Sequence, residues 1–347
     1  MTDNYDWRWV FLINVPIGLL AFAGLWVFLG ETRGQDTRLD ILGFALLAGA
    51  LASFQLMLDR GQQLDWFSST EIWIEASTSA VLIFMFVVHT LTSPSPFIKL
   101  SLFSDRNFTA SSIFSFFIGV LIYSVLALLP PMLEQLFGYP VIHTGLVTAP
   151  RGLGTMASMI LVGRLIRFVD PRYLIGAGII LAVWSTHMMS GFSLQMDEQL
   201  VVMSGVVQGM ATGMIFVPLS TIAFATLKPE LRNEGAAMFT LIRSIGSAVG
   251  ISVLQFITVR NVSTVHSRLV EAVRPDNPQV IQAIPGLDFS SAASVAKIDG
   301  EILRQASMVA YIDSFHALFV ASLIVAPLVF LMRPPRKDNV APAMHME

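Results

Sequence analysis

Two arginines stand where charge is expensive. Of 21 basic and 24 acidic residues, Arg151 and Arg243 are the two that fall inside long apolar runs. An Arg at the centre of a bilayer costs about 2.5–3.5 kcal/mol on insertion scales, so such a side chain faces a cavity or a partner. Thr240, Arg243, Gly246, Ser247 and Gly250 share one helical face. Gly246 and Gly250 form a GxxxG pair that lets two helices approach closely. Arg243 is therefore expected to point into a helical bundle. It either lines a transport path or tunes a proton-carrying group, or it pins backbone carbonyls between helices. Arg151 follows Pro150 in Ala-Pro-Arg-Gly-Leu-Gly, and Thr148, Arg151, Thr155 and Ser158 make a polar stripe. Pro150 removes a backbone donor, and Gly152 and Gly154 soften the helix, as in the broken helices at transporter midplanes.

A third run, Gln199–Leu227, carries Gly205, Gly209 and Gly213 at every fourth position, a seam for close packing and sliding. Gln208 and Thr212 lie beside it, as an interhelical hydrogen bond or a substrate contact. Pro218 interrupts the same helix and leaves a carbonyl open unless Ser220 or Thr221 fills it. Glu134 and Asp313 sit near span ends, where a carboxyl can exchange protons with water or simply be solvated. Other chemistry is poorly served. The six His lack HxxH or HExxH spacing, which leaves no metal reading. No cysteine is present, so thiol catalysis and Cys-ligated metals are excluded. There is no GxSxG elbow and no Walker GK[ST], so transport would draw on an ion gradient or a partner. Gly152–Ala157 fits GxGxxA, but no strand precedes it and an apolar run surrounds it, so no dinucleotide site is expected.

The elements that must hold these residues are set by composition. Charged residues make up 13% of the 347, against about 25% in a soluble domain. The net charge of -3 offers no basic face to nucleic acid. The apolar residues cluster into runs near the ~20 residues that cross a bilayer. Seven lack Asp, Glu, Lys and Arg: Val10–Gly30, Ile41–Leu58, Ala76–Leu91, Phe108–Leu133, Tyr173–Met196, Gln199–Leu227 and Ser314–Met332. Val141–Gly163 and Gly235–Val259 hold one charge each, which makes nine candidate transmembrane helices. Alternation of the strand type is absent, so an all-α integral membrane fold is expected.

Basic residues in the short loops set the orientation. One side carries Arg33, Arg38, Lys99, Arg106, Arg164, Arg167, Arg172, Lys228, Arg232, Arg333, Arg336 and Lys337. The opposite short loops carry Arg8 and Arg60. This places the C-terminus in the cytoplasm and, with nine spans, the N-terminus outside. Met1–Trp9 has no basic n-region and no cleavage site, so the outside start predicts a preceding segment. Arg260–Ala310 is the one long connection. Val262, Val265, Leu269 and Val273, then Val295, Ile298, Ile302 and Val309, predict two amphipathic helices on the outer face, parted by Pro275, Pro278 and Pro285.

Several stretches together resemble one family. Trp7–Gly18 (WRWVFLINVPIG), Leu58–Phe67 (LDRGQQLDWF), Gly145–Gly154 (GLVTAPRGLG), Pro218–Gly250 and Ala310–Phe315 (AYIDSF) resemble the fourteen-helix drug:proton antiporters of the EmrB/QacA type, within the major facilitator superfamily. The resemblance runs over essentially the whole chain. It implies that the nine spans correspond to helices six to fourteen, with the first five ahead of Met1. Residues 1–34 would hold the sixth-helix equivalent, 35–100 two inserted linker helices, 101–337 the C-terminal six-helix bundle with its outer loop 260–310, and 338–347 a cytoplasmic tail. One departure stands out. The family's cytoplasmic gate loop reads Gly-x-Leu-x-Asp-Arg, whereas this chain has Gly163-Arg164-Leu165-Ile166-Arg167-Phe168, with Asp170 and Arg172 following. An Arg takes the usual Asp position, and Asp170 is the residue placed to take over its charge pairing.

The expected function is proton-coupled export of amphipathic or hydrophobic compounds across the inner membrane, without a cofactor and without enzymatic chemistry. Arg151, Arg243, Gln208, Thr212, Thr155, Glu134 and Asp313 are the candidate substrate or proton path. Pro150, Gly205, Gly209, Gly213, Pro218, Gly246 and Gly250 are the candidate packing or hinge positions. The expected partners are the lipid bilayer, small hydrophobic substrates and protons; the resemblance adds a periplasmic adaptor as a candidate. The alternative is a non-transporting fragment or structural membrane partner.

Overall fold

The computed structural model describes residues 8–28, 40–274, 277 and 290–331. Two compact units divide after Asp40. The first contains a four-residue helix, α1 (Trp9–Leu12), and an apolar helix, α2 (Asn14–Phe28). At 15 residues α2 is shorter than the run Val10–Gly30 suggests; Leu29 and Gly30 lie outside the described residues, as do Arg33 and Arg38.

The second unit begins with α3 (Ile41–Gly61) and α4 (Thr70–Thr92), followed by α5 (Arg106–Phe137). Next come α6 (Val141–Thr148), α7 (Pro150–Leu165), α8 (Pro171–Ser190) and α9 (Glu198–Ala225). The last two helices are α10 (Arg232–Ala272) and α11 (Ala292–Val325). The described residues contain no strand. Eight of their helical segments are long and apolar enough to cross a membrane, against the nine expected, with α6 and α7 counting as one and α2 falling short.

Helices α5, α8, α9, α10 and α11 supply one continuous apolar core. Phe108, Phe114, Met132, Ile175, Met189, Ile215, Ile222, Phe315 and Leu318 are completely enclosed in it. The pair α3–α4 is tied internally by Ser79 Oγ, which donates to the Ala50 carbonyl at 3.0 Å. Arg60 on α3 pairs with Glu71 and lies 3.5 Å from Glu75 on α4. The pair docks on α10 through Ser252 Oγ, donating to the Leu58 carbonyl at 3.0 Å, and through Trp66, whose ring meets Phe256 edge-on. Asp65 and Trp66 both adopt positive φ in the turn between α3 and α4, and the Trp66 ring covers Gly61.

The end of the bundle that carries Arg106, Arg164 and Arg172 is laced by polar contacts. Asp105 caps α5 by accepting from the Phe108 amide at 2.8 Å, and it also accepts from Thr226 beyond α9. Lys99 pairs with Glu234 of α10 at 2.7 Å. At the opposite end α5 closes on Gly138, whose φ of 68° is left-handed, with the Gly138 and Tyr139 amides both turned to the Leu133 carbonyl. A Cβ at Gly138 would meet no atom within 4 Å, so the cost of Gly138→Ala is conformational alone. It should destabilise the protein by about 1–2 kcal/mol. An unchanged thermal melt in detergent would contradict that cost.

The outer segment departs from expectation. The residues read as a separate amphipathic helix from Arg260 onward are an unbroken continuation of α10, which runs 41 residues to Ala272. The second expected helix is likewise the first part of α11. The reason is local: between Arg260 and Ala272 there is neither Pro nor Gly, so nothing ends the hydrogen-bond ladder where the apolar run ends. His266 on α10 and Asp299 on α11 meet at 2.9 Å, and Arg304 Nε donates to the Leu136 carbonyl at the end of α5. Pro275, Pro278 and Pro285 lie outside the described residues, as do Arg333, Arg336, Lys337 and the tail 338–347.

Candidate functional site

The glycines predicted to permit close packing do so, and the structure supplies their partners. A Cβ at Gly209 would collide with the Arg151 carbonyl and come within 2.9 Å of the Thr155 amide nitrogen. One at Gly213 would strike Ser158 Oγ and lie 2.8 Å from the Thr155 carbonyl. The seam of α9 therefore rests on the polar stripe of α7. The fit is reciprocal, because a Cβ at Gly154 would collide with the Val206 carbonyl. A second pair has the same construction. Gly246 and Gly250 of α10 face Phe116 and Val120 of α5, while Gly119 of α5 faces the Arg243 carbonyl. Each intramembrane arginine thus sits on a helix clamped to a neighbour at backbone distance.

The arginines reach toward the same two helices. Arg151 Nη2 donates to the Ile122 carbonyl of α5 at 3.3 Å. The Arg243 guanidinium lies 4.4 Å from the centre of the Phe216 ring on α9. So Arg151 packs on α9 and bonds to α5, while Arg243 packs on α5 and stacks on α9. Four helices, α5, α7, α9 and α10, converge through these contacts. Among the described residues neither arginine pairs with a carboxylate. Arg151 pins a carbonyl, the structural role weighed in the sequence for Arg243. Arg243 pins none and rests on an aromatic face, worth about 2 kcal/mol when desolvated.

The neighbouring polar residues divide into satisfied and unsatisfied. Thr155 Oγ1 donates to the Arg151 carbonyl at 3.1 Å, and Thr212 Oγ1 to the Gln208 carbonyl at 2.8 Å. Both hydroxyl protons are committed within their own helices, which leaves their oxygens as acceptors. Gln208 is 3% exposed, and its side-chain oxygen has no partner. Below it, Ser220 and Thr221 both donate to the Val217 carbonyl at 2.9 Å. Neither fills Met214, the acceptor that Pro218 leaves open.

Other predicted positions lie apart. Glu134 is half-buried near the end of α5, and Asp313 on α11 accepts from Asn261 Nδ2 at 3.3 Å. Gly163 and Arg164 in the last turn of α7 are exposed, as is Arg167 in the loop to α8. Asp170 accepts from the Arg172 amide at 3.0 Å and caps α8. Among the described residues no ion pair joins Asp170 to Arg167 or Arg172. Sequence reasoning missed Phe216, Gly119 and the Ile122 carbonyl. It also missed two buried ties between helices, Ser185 Oγ to the Ser204 carbonyl at 2.9 Å and Thr258 Oγ1 to Ser314 Oγ at 2.7 Å. Small residues advertise close packing, but nothing in one sequence says which helix is approached.

The described residues hold no group of three or more His, Cys, Asp or Glu placed to bind a metal ion. The chain matches the Major Facilitator Superfamily model over residues 1–251. It is 32% identical over 341 residues to the multidrug export protein EmrB of Escherichia coli K12, covering 96% of this chain and 67% of that protein. It is 30% identical to the fatty acid resistance protein FarB of Neisseria gonorrhoeae, with the same coverage. Among solved structures it is similar to a bacterial homolog of the human lysosomal transporter Spinster in an inward-facing, occupied conformation. That likeness has a TM-score of 0.51 at 19% identity, covers 87% of this chain and 69% of that one, and bears on the fold alone. The membrane-length helices, the two glycine-clamped pairs and these matches lead to one assignment: this multi-pass membrane chain belongs to the major facilitator superfamily and, within it, to the EmrB type.

Proposed function

We propose that the chain exports amphipathic or hydrophobic compounds across the inner membrane in exchange for protons, as the C-terminal portion of a multidrug transporter. The observation that carries this reading is the pair of guanidiniums inside the bundle, neither matched by a carboxylate among the described residues. A fold needs no such charge for stability, since each costs about 2.5–3.5 kcal/mol to insert. Charge kept at that cost is charge used, and a fixed cation repels a proton or cationic substrate until a neighbouring group changes state. Arg151 and Arg243 therefore tune the central path. Gln208, Thr212 and Thr155 offer acceptor oxygens to substrate, and Glu134 and Asp313 exchange protons with the outer water. Gly163, Arg164, Arg167, Asp170 and Arg172 form the cytoplasmic gate loop. The bias of basic loop residues supports a cytoplasmic C-terminus and an outside N-terminus. Residues 35–100 act as the inserted linker pair and 101–337 as the moving six-helix half. The relatives' export and resistance names support a transporter over an enzyme, and lend no support to a non-transporting fragment. A periplasmic adaptor is the proposed protein partner.

The test is flux. Reconstituted into liposomes bearing a transmembrane pH gradient, the chain should move ethidium, a lipophilic dye, against its concentration gradient. Collapse of the pH gradient by a protonophore should stop the movement. Dye movement that ignores the gradient, or none at all, would overturn the proposal.

A further inference from the structure

At the end of the bundle opposite Arg164 and Arg172, the short helix α6 is held in an unusual way. Its covalent link to α7 passes through Ala149 and Pro150, and Pro150 has no N–H to give to the Leu146 carbonyl. A Cβ at Gly145 or at Gly152 would meet nothing within 4 Å, so the turns on both sides of this joint have open faces. Laterally α6 packs through Val147, which joins the buried core, and is tied by one polar side-chain contact. His143 Nε2 lies 2.7 Å from Glu198 Oε1, at the first turn of α9. The Tyr139 ring meets the His143 ring edge-on at 4.7 Å between centres, and the Glu198 carboxylate lies near the Tyr139 hydroxyl.

We propose that His143, Glu198 and Tyr139 form a proton-operated latch that fastens α6 to α9 and frees it when His143 loses its charge. The side chains of His143 and Glu198 are 40% and 47% exposed, so neither is sealed inside the bundle. An imidazolium beside a carboxylate is an ion pair; a neutral imidazole keeps only a hydrogen bond to the carboxylate and loses the attraction between opposite charges. Tyr139 stays a donor throughout, because burial first, and then Glu198 and Asp197, push its pKa above the ordinary tyrosine value. On the elements packed against α6, the charged or titratable residues near its end of the bundle are Glu134 on α5, Arg151 on α7, and Asp197 and Glu198 at the start of α9; Arg106 and Tyr123 on α5 and Arg164 on α7 lie farther along their helices. The latch is therefore closed where the imidazole is protonated and the carboxylate ionised, and it loosens where the imidazole is neutral. It does not depend on the transport reading, since the motion it controls is that of α6 against α9.

The chain has no cysteine, so one introduced thiol is a clean reporter. Thr144 is 3% exposed on α6, and its hydroxyl has no partner. In nanodiscs, where both faces meet the buffer, Thr144→Cys is labelled with a maleimide at about pH 6 and about pH 8. Rates are compared at equal pH with and without a latch substitution, which cancels the titration of the thiol. At the lower pH, His143→Gln and Glu198→Gln should each speed labelling by about three- to fivefold, the scale of an exposed ion pair. The two together should add nothing further, and at the higher pH the ratio should fall to near one. A ratio near one at both pH values, or an equal acceleration at both, would overturn the latch. Amide hydrogen exchange over residues 141–148 with Thr144 intact gives the same readout without the thiol, and equal exchange in parent and variants would overturn it as well.

Discussion

Gly209→Ala should lower the melting temperature by about 3–4 °C, while Gly205→Ala, one helical turn away on the same seam, should leave it almost unchanged. The difference lies in what the added carbon meets. At Gly209 it would overlap the Arg151 carbonyl and crowd the Thr155 nitrogen at 2.9 Å and the Arg151 carbonyl carbon at 3.0 Å. All three are helix backbone and cannot rotate away, so α7 and α9 must separate. Overpacking of this kind costs about 1–3 kcal/mol, and a backbone-to-backbone contact belongs at the upper end. At Gly205 the nearest atom is Arg151 Cβ at 3.8 Å, an ordinary contact. Separation of the helices would also drag Arg151 from the Ile122 carbonyl. Thermal melts followed by size-exclusion fluorescence decide the matter. Equal melting temperatures for the two variants would mean that α7 and α9 do not touch along this seam.

Arg243→Ala should reduce substrate-driven proton exchange at least about tenfold, a barrier change of about 1.4 kcal/mol, while expression and melting temperature hold. The stability side can be weighed in advance. The substitution forfeits a cation–π contact worth about 2 kcal/mol when desolvated, and it recovers an insertion cost of about 2.5–3.5 kcal/mol. These nearly cancel, so loss of exchange would not reflect unfolding. Phe216→Leu separates the parts of the interaction, because it keeps the charge and removes the ring 4.4 Å away. Arg243→Lys keeps charge without the planar stack. If charge sets the path, Arg243→Lys and Phe216→Leu retain most exchange and Arg243→Ala retains little. Normal exchange in Arg243→Ala would remove this residue from the mechanism.

The membrane class was readable because hydrocarbon length imposes about 20 apolar residues on a span, and the runs showed that length. The glycine seams were readable for a similar reason, since small residues at every fourth position have few uses other than close approach. Their partners were not. Gly119 is the single glycine of α5, and its seam with Ser111 and Ser115 at every fourth position before it went unread because serine marks it where glycine was looked for; the acceptor of Arg151 is a main-chain oxygen that every residue possesses. Helix ends were misjudged where polarity was taken for a boundary. From Arg260 to Ala272 the sequence turns polar but never loses helical competence, so α10 leaves the apolar zone and continues. The hydroxyls after Pro218 were foreseen as donors but assigned to the wrong oxygen. A threonine or serine three or four residues beyond a carbonyl reaches that carbonyl, and here it is Val217.

The length of α10 has a mechanical consequence. Forty-one residues at about 1.5 Å each give a rod of about 60 Å, twice the thickness of a hydrocarbon core. It is clamped to α5 at Gly246 and Gly250, and its far end is tethered to α11 by His266 and Asp299. Such a rod is a lever with its fulcrum inside the bilayer. A change of tilt too small to detect at Arg243 is magnified in proportion to distance at the tip, where Val270 is exposed to water-borne probes. The internal state of the bundle is thus displayed outside it, as the needle of a gauge displays what its movement senses.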